Sequence, residues 1–379
     1  MKRLKIAVIG AGFIGKQHVE AIRRVPGTEV TALADINEKM GEEMAQNLAI
    51  PAFYTNYEEM LAKEKPDAVH ICTPSSLHYT MSRDVLAAGI PVFCEKPLTL
   101  KAEEAERLTA MAENAGIVTG VNFNYRNHVM VHEIKEQIRQ GGIGEPVMVY
   151  GEYLQDWLLY ETDYNWRMNP AAGGESRAIA DIGSHCFDLA QYVLGKDITA
   201  VYAKRIRVYP FRKKPTGGTQ TFEKAAGGAY ETVPVENEDA AYIMAEFDGG
   251  IQGLFYVSQV CAGAKNGLKI CVSGKEKSLT WEQERPDHLR IGNRDGGNED
   301  CYAGAGYLTD YAKAFAQLPE GHPAAWTDAL TNGINDFYGK IRNPGRQTVS
   351  ADFLTGARIM NIIEACLQSD REQRWVKII

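Results

Sequence analysis

The residue best suited to chemistry in this chain is Lys96, which follows Glu95 and precedes Pro97. The run before this tripeptide, Ile90 to Cys94, is apolar and predicts a buried strand that the proline ends. Charged side chains rarely stand at the end of a buried strand without a partner, so an acid, a lysine and a turn-forming proline indicate a site that handles charge. The alternative interpretation is a solvated lysine at the start of a loop.

A second candidate group is the pair Asp181 and His185, in the run Asp-Ile-Gly-Ser-His. An apolar periodic segment, Phe187 to Leu194, follows, so the pair is predicted to stand at i and i+4 on a helix or its leading turn. The two side chains would then share one face, and an imidazole there could move a proton near neutral pH. Alternatively, Asp181 caps a helix and His185 packs beneath it.

The elements that would position Lys96 begin at the start of the chain. Lys5 to Ile9 reads as a short β-branched strand, and His18 to Arg24 reads as an amphipathic helix. Between them lies a GxGxxG loop, in which the first glycine permits a tight turn, the second lets the backbone approach a pyrophosphate and the third lets helix pack on strand. An ordinary glycine-rich turn is the weaker alternative, because strand, loop and helix occur in the required order. The loop residues predicted to contact a dinucleotide are Gly10, Gly12, Phe13, Ile14 and Gly15.

A carboxylate follows the second predicted strand. Glu29 to Ala34 is apolar and β-branched and ends at Asp35, twenty residues past Gly15. An acid at this place accepts hydrogen bonds from the adenosine ribose hydroxyls and repels a 2′-phosphate. The cofactor is therefore predicted to be NAD rather than NADP.

Strands and helices then alternate as they do in βαβ units. Ligands of such sheets bind beyond the carboxyl ends of the strands, where Thr73, Pro74 and His78 fall and where Glu95 and Lys96 fall one strand later. These residues are predicted cofactor contacts, although a histidine that opens a helix could also serve as a cap. The predicted elements are helix 38–48, strand 52–54, helix 57–63, strand 68–72, helix 102–115 and strand 117–123.

Composition narrows the class of protein. The 379 residues suffice for two domains, and a net charge of −8 disfavours nucleic acid and anionic membrane as partners. Seven cysteines without a CxxC or Cys/His spacing indicate neither a disulfide framework nor a zinc site, which favours a reducing cytoplasm. No stretch approaches the ~20 apolar residues of a membrane span. His128 and His132 have the spacing of a metal pair but no third ligand nearby, so no metal is predicted.

The second half of the chain reads as a sheet followed by helices. One strand carries four apolar side chains in a row, Leu254 to Val257, so both sheet faces are apolar and one face is predicted to bind a second subunit. The segment Arg212 to Glu238 is a long insertion that could reach the site or a neighbouring subunit, and its start, Arg212 to Lys214, is interpreted as a solvated loop face. The predicted strands are 145–153, 199–209, 240–247, 251–260, 268–273, 278–282 and 374–379, and the predicted helices are 303–317, 325–341 and 351–369.

The ordered motifs together resemble those of the Gfo/Idh/MocA oxidoreductases, the family of glucose-fructose oxidoreductase and inositol dehydrogenase. The resemblance spans nearly the whole chain. It implies an α/β protein with a Rossmann domain at 1–123 and an α/β domain at 124–379 with an open, mostly antiparallel sheet. For the C-terminal segment two alternatives stay open: it packs back on the first domain, or its last strand, 374–379, returns to the sheet. It also implies NAD(P)-linked chemistry on sugars or cyclitols and a homodimer or homotetramer. The motifs are GxGxxG, Asp35, Thr73-Pro74-x-x-x-His78, Glu95-Lys96-Pro97 and Asp181-x-x-x-His185.

The resemblance also implies roles for particular residues. Lys96 would be the active-site lysine, with a Lys96–Pro97 bond that is often cis, Asp181 its acidic partner and His185 the residue that transfers the proton. Oxidation of a secondary alcohol needs a base near neutrality and a cation beside the developing alkoxide, which a histidine and a lysine supply. Exchanged roles for the lysine and the histidine remain open.

The sequence also offers candidate substrate contacts and a small set of possible reactions. An aromatic-rich stretch before the Asp181 segment suits the face of a sugar, although part of it could be core or subunit interface. The leading hypothesis is an NAD-dependent dehydrogenase of a sugar, anhydrosugar or cyclitol. The alternatives are a redox-neutral NAD-dependent glycosidase or lyase that passes through a 3-keto sugar, and a catalytically silent nucleotide sensor. The candidate substrate contacts are Arg126, Tyr164, Trp166 and Arg167, with Trp157 and Tyr160 in the same stretch.

Overall fold

The computed structural model describes residues 3–216, 229–304 and 306–378. They divide into two compact units. The first combines Met1–Asn127 with Thr327–Met360, and the second combines His128–Trp326 with Asn361–Ile379. In these ranges no helix is long and apolar enough to cross a bilayer.

The first unit is built on a six-stranded sheet in the order β3-β2-β1-β4-β5-β6. Every neighbouring pair is parallel, and the chain order reverses between β1 and β4, which places a ligand crevice beyond the carboxyl ends of these strands. This confirms the predicted Rossmann sheet. Its elements are β1 (Leu4–Ile9), α1 (Phe13–Arg23), β2 (Thr28–Ala34), α2 (Glu38–Asn47), β3 (Ala52–Tyr54), α3 (Tyr57–Glu64), β4 (Ala68–Ile71), α4 (His78–Ala87), β5 (Val92–Cys94), α5 (Ala102–Ala115) and β6 (Thr119–Val121).

The helix starts of this unit differ in how they are capped. The side chain of Asn37 accepts a hydrogen bond from the amide of Met40 at the start of α2, and Asn56 caps α3 in the same way. Helix α1 starts at Phe13, five residues earlier than predicted, and its N-cap, Gly12, has no side chain to give. The N–H groups at this helix end are therefore oriented toward the loop rather than covered by a cap.

The remaining elements belong mainly to the second unit. Its sheet runs β16-β15-β14-β13-β7-β12-β11-β8-β17, in which β7 and β12 are parallel and the other described pairs antiparallel, as predicted for a mostly antiparallel sheet. The elements are α6 (Val129–Arg139), β7 (Pro146–Leu154), α7 (Pro170–Gly173), α8 (Ser184–Leu194), β8 (Ile198–Ile206), β9 (Phe211–Pro215), β10 (Tyr230–Pro234), β11 (Ala240–Phe247), β12 (Gln252–Ser258), β13 (Gly267–Gly274), β14 (Lys277–Glu282), β15 (His288–Asn293), β16 (Glu299–Tyr302), α9 (Asp310–Lys313), α10 (Trp326–Arg342), α11 (Phe353–Glu372) and β17 (Val376–Lys377).

The two faces of this sheet are unlike. Helix α8 packs against β7 and β13, and the side chains that alternate toward it, such as Ile243 and Phe255, are fully buried. On the other face Tyr242, Met244 and Leu254 are between 42% and 53% exposed. A sheet with one helix-covered face and one exposed apolar face has the form expected of a surface that binds another protein.

One helix and two strands of the second unit were not predicted correctly. The helix expected at 303–317 is reduced to α9, because Gly304 and Gly306 are poor helix formers and the first effective cap is Thr309, whose side chain accepts from Ala312 N. Strand β15 and the edge strand β16 were missed, because their sequences are polar and their apolar alternation is short. Strand β17 pairs with β8, as predicted for the end of the chain.

The insertion between β8 and β11 contains an antiparallel hairpin. Strands β9 and β10 pair from Phe211 with Pro234 to Pro215 with Tyr230, and residues 217–228 of the predicted insertion lie outside the described residues. Arg212 was interpreted as part of a solvated face, which was wrong because its side chain is fully buried. Its guanidinium donates to three backbone carbonyls of the stretch 158–163 and to the carboxylate of Asp239. A buried ion pair explains why a charged residue enters the interior here.

Candidate active site

The loop between β1 and α1 has the geometry that a pyrophosphate requires. Gly10 has φ +109°, and a Cβ there would lie 2.6 Å from the carbonyl oxygen of Cys72. A Cβ on Gly15 would lie 2.0 Å from the carbonyl oxygen of Gly10, so the third glycine is required for the packing of helix on strand. At Gly12 a Cβ would meet no protein atom within 4 Å, so the space above the helix end is open. The first turn of α1 carries no acidic residue, so the loop fits the phosphates of NAD.

Asp35 is tied to this loop. One oxygen, Oδ2, accepts from the amide of Ala11 at 2.7 Å, and the other, Oδ1, accepts from the amide of Asn37 at 2.8 Å. These bonds fix the carboxylate at the end of β2, where a ribose would bind. The next residue, Ile36, is 92% exposed and was not singled out in the sequence. An isolated exposed isoleucine carries little signal, because single apolar residues are common on surfaces.

His78 joins two loops beyond the sheet. Its Nε2 lies 2.9 Å from the carbonyl oxygen of Thr73 and its Nδ1 lies 2.8 Å from the carbonyl oxygen of Pro97. Burial lowers the pKa of His78, although the two carbonyls favour the protonated ring. The Lys96–Pro97 bond is cis, as the family resemblance implied. The histidine therefore holds the end of β4 and the turn after Lys96 in one arrangement.

The Glu95 carboxylate is turned into the protein. Its Oε1 accepts from His18 Nε2 at 2.8 Å and from Asn122 Nδ2 at 2.6 Å, and its Oε2 accepts from the amide of Lys96 at 3.3 Å. Burial acts to raise the pKa of Glu95, but the hydrogen bonds from His18 and Asn122 and the charge of Lys96 outweigh it and the pKa is lowered. Glu95 thus fixes the residue next to it, and its direct contact with a cofactor stays a prediction.

In the second unit, Asp181 and His185 lie on either side of a helix start. Asp181 belongs to a single π turn, Ile179–Gly183, that runs into α8, and His185 is the second residue of that helix. Two groups orient the carboxylate: Arg167 Nε lies 3.3 Å from Oδ1, and Gln259 Nε2 donates to Oδ2 at 2.8 Å. π turns of this kind occur frequently at functional sites. Gln259 is fully buried at the end of β12 and was missed, since a glutamine after an apolar strand has no motif of its own.

The aromatic stretch before this turn has a mixed character. Trp157 and Tyr164 pack against a small buried cluster formed by Leu158, Met168 and Val235, so part of the stretch is core. Arg167 has a different environment, with its Cζ 4.4 Å from the centre of the Trp166 ring while its Nε faces Asp181. Trp166 and Arg167 are thereby joined to the predicted catalytic carboxylate. Tyr160 is 61% exposed.

A buried cluster of ion pairs holds both the aromatic stretch and the Asp181 turn of the second unit in place. Asp239 is fully buried and pairs with Arg177 and with Arg212, whose Nη2 lies 2.6 Å from Oδ1. The neighbouring Glu238 accepts at Oε1 from the backbone amides of Arg177 and Ile179, both at 2.9 Å. The residues just before β11 therefore hold the aromatic stretch through Arg212 and the Asp181 turn through Arg177. No local sequence pattern links these residues, which are up to 62 positions apart.

The remaining candidate residues, His128, His132 and Arg126, are packed against other parts of the protein. His132 stacks on Phe315 with ring centroids 3.6 Å apart and its Nδ1 lies 2.8 Å from the Tyr192 hydroxyl, while His128 is buried against Trp281. In the described part of the chain no three His, Cys, Asp or Glu side chains form a group that could hold a metal. Arg126 is buried in the first unit and donates to the carbonyl of Val349 at 3.1 Å.

Comparison with known proteins identifies the class. Residues 4–123 match an oxidoreductase family with an NAD-binding Rossmann fold, and residues 131–280 match the GFO/IDH/MocA C-terminal domain. The chain belongs to the Gfo/Idh/MocA oxidoreductases, which confirms the resemblance seen in its motifs.

Among its relatives, a levoglucosan dehydrogenase from Pseudarthrobacter phenanthrenivorans is 28% identical over 100% of this chain and 99% of that protein. A 1,5-anhydro-D-fructose reductase from Ensifer adhaerens is 31% identical over 83% of this chain and 88% of that protein. A solved structure of levoglucosan dehydrogenase in complex with NADH and L-sorbose has a TM-score of 0.89 and 26% identity, with 100% of both chains covered.

Proposed function

We propose that the protein is an NAD-dependent dehydrogenase that oxidises a secondary alcohol of a sugar, anhydrosugar or cyclitol, with Lys96, Asp181 and His185 as its catalytic residues. The observation that carries the proposal is the Asp181 turn, where Arg167 and Gln259 orient a carboxylate one helical turn before a buried histidine. Carboxylate and imidazole held in this way suit proton transfer at an alcohol. The NAD-binding fold of the first unit supplies the matching redox chemistry.

The proposed reaction assigns one task to each residue. NAD, when bound by the loop and strand ends of the first unit, would supply the hydride acceptor for the alcohol carbon. His185 takes the hydroxyl proton, and the Lys96 ammonium donates a hydrogen bond to the oxygen as negative charge develops on it. Asp181 is the proposed acidic partner that orients the site. A ketone and NADH are the products, and the proton on His185 passes to water.

The residues proposed to bind NAD are those of the loop and the strand ends. Gly10, Gly12, Phe13, Ile14 and Gly15 would face the phosphates, and Asp35 the ribose, with preference for NAD over NADP. Ile36 adds an exposed apolar side chain on which an adenine base could pack. Beyond the sheet, the proposed contacts are Thr73, Pro74, His78, Glu95 and Lys96.

The proposed substrate class rests on two kinds of support. Relatives named for levoglucosan and 1,5-anhydro-D-fructose favour anhydrosugars among the possible polyols. In this chain Trp166 presents a ring beside Arg167, which suits a sugar face with hydroxyls at its edge. Tyr164 and Arg126 are further proposed substrate contacts.

A substrate screen tests the activity. The purified protein is incubated with levoglucosan, 1,5-anhydro sugars, hexoses and inositols, each with NAD and with NADP, and NADH or NADPH formation is followed by absorbance. We expect NADH from at least one polyol and a weaker response with NADP. Free sugar released from a glycoside without NADH would favour the redox-neutral glycosidase instead. NAD binding without turnover of any polyol or glycoside would favour a nucleotide sensor.

Variants then test the residues. His185→Gln and Lys96→Met are expected to lower turnover by about 100-fold or more while NAD still binds, because each removes a proton-transfer or charge-stabilising group. His322→Gln is the matched control, since this histidine is exposed. Turnover within a few-fold of wild type in either active-site variant contradicts the assignment of that residue.

We also propose that the exposed sheet face binds a second copy of the chain, giving a homodimer or homotetramer. The face contains Met148, Tyr150, Tyr242, Met244 and Leu254, which pair across β7, β12 and β11. Leu254→Glu together with Met244→Lys is expected to yield monomers in light scattering, because burial of charged residues in an apolar interface is unfavourable. A wild-type monomer, or an unchanged oligomer in the double variant, contradicts this proposal.

A further inference from the structure

A buried chain of hydrogen bonds runs through the first unit and ends at the residue beside Lys96. The Tyr338 hydroxyl lies 2.7 Å from His70 Nε2, His70 Nδ1 lies 2.8 Å from His18 Nδ1, and His18 Nε2 lies 2.8 Å from Glu95 Oε1. Both histidines and the tyrosine are fully buried. The chain links three elements distant in sequence, α1, β4 and α10, to the turn after β5.

The acceptor at one end gives this chain a direction. A carboxylate oxygen only accepts, so Nε2 of His18 carries a hydrogen and donates to Glu95. In a neutral ring Nδ1 of His18 is then an acceptor, and Nδ1 of His70 donates to it. Nε2 of His70 is left to accept from the hydroxyl of Tyr338. With both rings neutral, each group in the chain donates toward the carboxylate. A His18 ring with hydrogens on both nitrogens would instead donate to His70, and the two outer hydrogen bonds would run in the opposite direction.

The same chain explains how a carboxylate is tolerated in the interior. Burial lowers the pKa of His70 far below its usual value, so this ring stays neutral and can hold only one arrangement of its hydrogen. Phe93 stacks on His70 at a centroid distance of 5.1 Å and fixes the plane of the ring. The ordered rings present a donor to Glu95 in place of the water that burial excludes.

We propose that His18, His70 and Tyr338 are positioning residues for Lys96: their one-directional chain fixes the Glu95 carboxylate, whose second oxygen holds the Lys96 amide. The inference rests on the proposed catalytic role of Lys96. Glu95 Oε2 accepts from that amide at 3.3 Å, and the Lys96–Pro97 turn is held on its other side by His78, which contacts the Pro97 carbonyl. The backbone of the lysine is thus fixed from both sides, and a small displacement of a reacting group is costly in rate.

Loss of the chain is expected to change both the position and the charge of Glu95. In His18→Leu one of the two donors to Oε1 is gone and only Asn122 remains, so burial raises the pKa of the carboxyl and it becomes neutral at a higher pH. Turnover then falls on the acid side of the pH profile, and the acid limb moves upward by about one pH unit. The titratable or charged groups that face Glu95 directly or through His18 are His18, His70, Cys72, His78, Cys94 and Lys96.

Two matched pairs of variants separate positioning from packing. His18→Gln keeps a donor that can reach Glu95, whereas His18→Leu keeps only volume. His70→Asn keeps a donor near the place of Nδ1, whereas His70→Leu removes it. We expect both leucine variants to lose about 10- to 100-fold in kcat, measured with the best polyol of the screen, with the Kd for NAD changed by less than about threefold. The amide variants are expected to recover most of the loss, and His322→Gln to show none.

A spectroscopic readout tests the chain without any substrate. The protein has eight histidines, so nitrogen-15 spectra of labelled protein and of each variant can be assigned by substitution. We expect His18 with its hydrogen on Nε2 and His70 with its hydrogen on Nδ1, both in wild type and in Tyr338→Phe, where His18 still accepts from His70. In His18→Leu that acceptor is lost, and we expect mixed tautomers of His70. The opposite tautomers, or a protonated His18 at neutral pH, would overturn the direction of the chain.

The outcomes also separate this inference from the proposed function. A wild-type protein inactive on every polyol contradicts the proposed function, while the tautomers still test the chain. An active wild type whose leucine variants keep kcat within about twofold and an unchanged acid limb overturns the positioning role but leaves the dehydrogenase intact. Equal losses in the leucine and amide variants also overturn it, because packing alone then accounts for the effect.

Discussion

Gly12 and Gly15, the second and third glycines of the GxGxxG loop, are expected to respond in opposite ways to substitution by alanine. At Gly12 an added Cβ meets no protein atom within 4 Å, and φ −71° with ψ −176° is extended backbone that any residue adopts. At Gly15 the added Cβ lies 2.0 Å from the carbonyl oxygen of Gly10. Gly12→Ala therefore perturbs the ligand space, and Gly15→Ala perturbs the fold.

The magnitudes follow from these contacts. In Gly12→Ala the unfolded chain loses freedom, which stabilises by about 0.4–1 kcal/mol, and alanine is a poorer N-cap than glycine by a similar amount, so the net change is within about 0.5 kcal/mol. In Gly15→Ala the backbone must move, which costs about 3 kcal/mol. For a domain of this size 1 kcal/mol corresponds to about 2–4 °C in Tm. We therefore expect Tm to fall by less than about 2 °C in Gly12→Ala and by about 6–12 °C in Gly15→Ala.

Binding of NAD is expected to reverse this order. The methyl group of Gly12→Ala fills the space through which a pyrophosphate approaches the amides of α1, and loss of one charge-assisted hydrogen bond costs about 1.5–3 kcal/mol, or roughly 10- to 150-fold in Kd. Calorimetric titration with NAD and thermal unfolding with and without NAD measure both effects. Gly296→Ala is the matched control, since its Cβ also meets open space. A Gly12→Ala variant that binds NAD like wild type refutes the placement of the cofactor at this loop.

Two further predictions concern stability. Asp239→Asn is expected to lower the free energy of unfolding by about 3–5 kcal/mol, because two buried guanidiniums lose their counter-charge. The control is Asp310→Asn, which changes an exposed carboxylate. A change below about 1 kcal/mol for Asp239→Asn in chemical denaturation would contradict the role of the cluster. The free energy of unfolding should also fall as the pH drops below about 6.5. Burial lowers the folded-state pKa of His70 and His78, so the unfolded chain binds protons that the folded chain does not. The loss is up to about 1.4 kcal/mol per pH unit for each ring. His70→Asn should flatten this dependence in denaturation curves recorded between pH 7 and 5, and an identical slope in the variant would count against the buried neutral ring.

The Rossmann half of the chain was predictable because its signals are local. Each strand, loop and acid of the nucleotide fold carries its own pattern within about ten residues, and the parallel order follows from the alternation of strands and helices. The helix start at Phe13 and the strands β15 and β16 were misjudged, because their local patterns are short or interrupted. Long periodic segments such as α10 and α11 were predicted to within a few residues.

The residues that hold the site were not predictable, because their roles depend on partners far along the chain. Arg212 looks like part of a basic surface run until Asp239 and the carbonyls of 158–163 are placed around it. Gln259 has a role only because its amide reaches the Asp181 turn, 78 positions away. A single sequence carries no record of such pairings, whereas the residues proposed to contact the ligand stand in short motifs that can be read locally.

His18 shows where these two kinds of information meet. It stands three residues after Gly15, on the same short helix whose N-terminus is proposed to bind the phosphates, and its ring turns inward to Glu95. One element therefore fixes two parts of the proposed site: its first turn receives the cofactor, and its second turn orders the carboxylate beside Lys96. A shift of α1 would disturb both, so the helix links the place of the nucleotide to the position of the lysine through packed, hydrogen-bonded groups. For this reason a positioning residue of the proposed lysine is found inside the nucleotide-binding helix rather than beside the substrate.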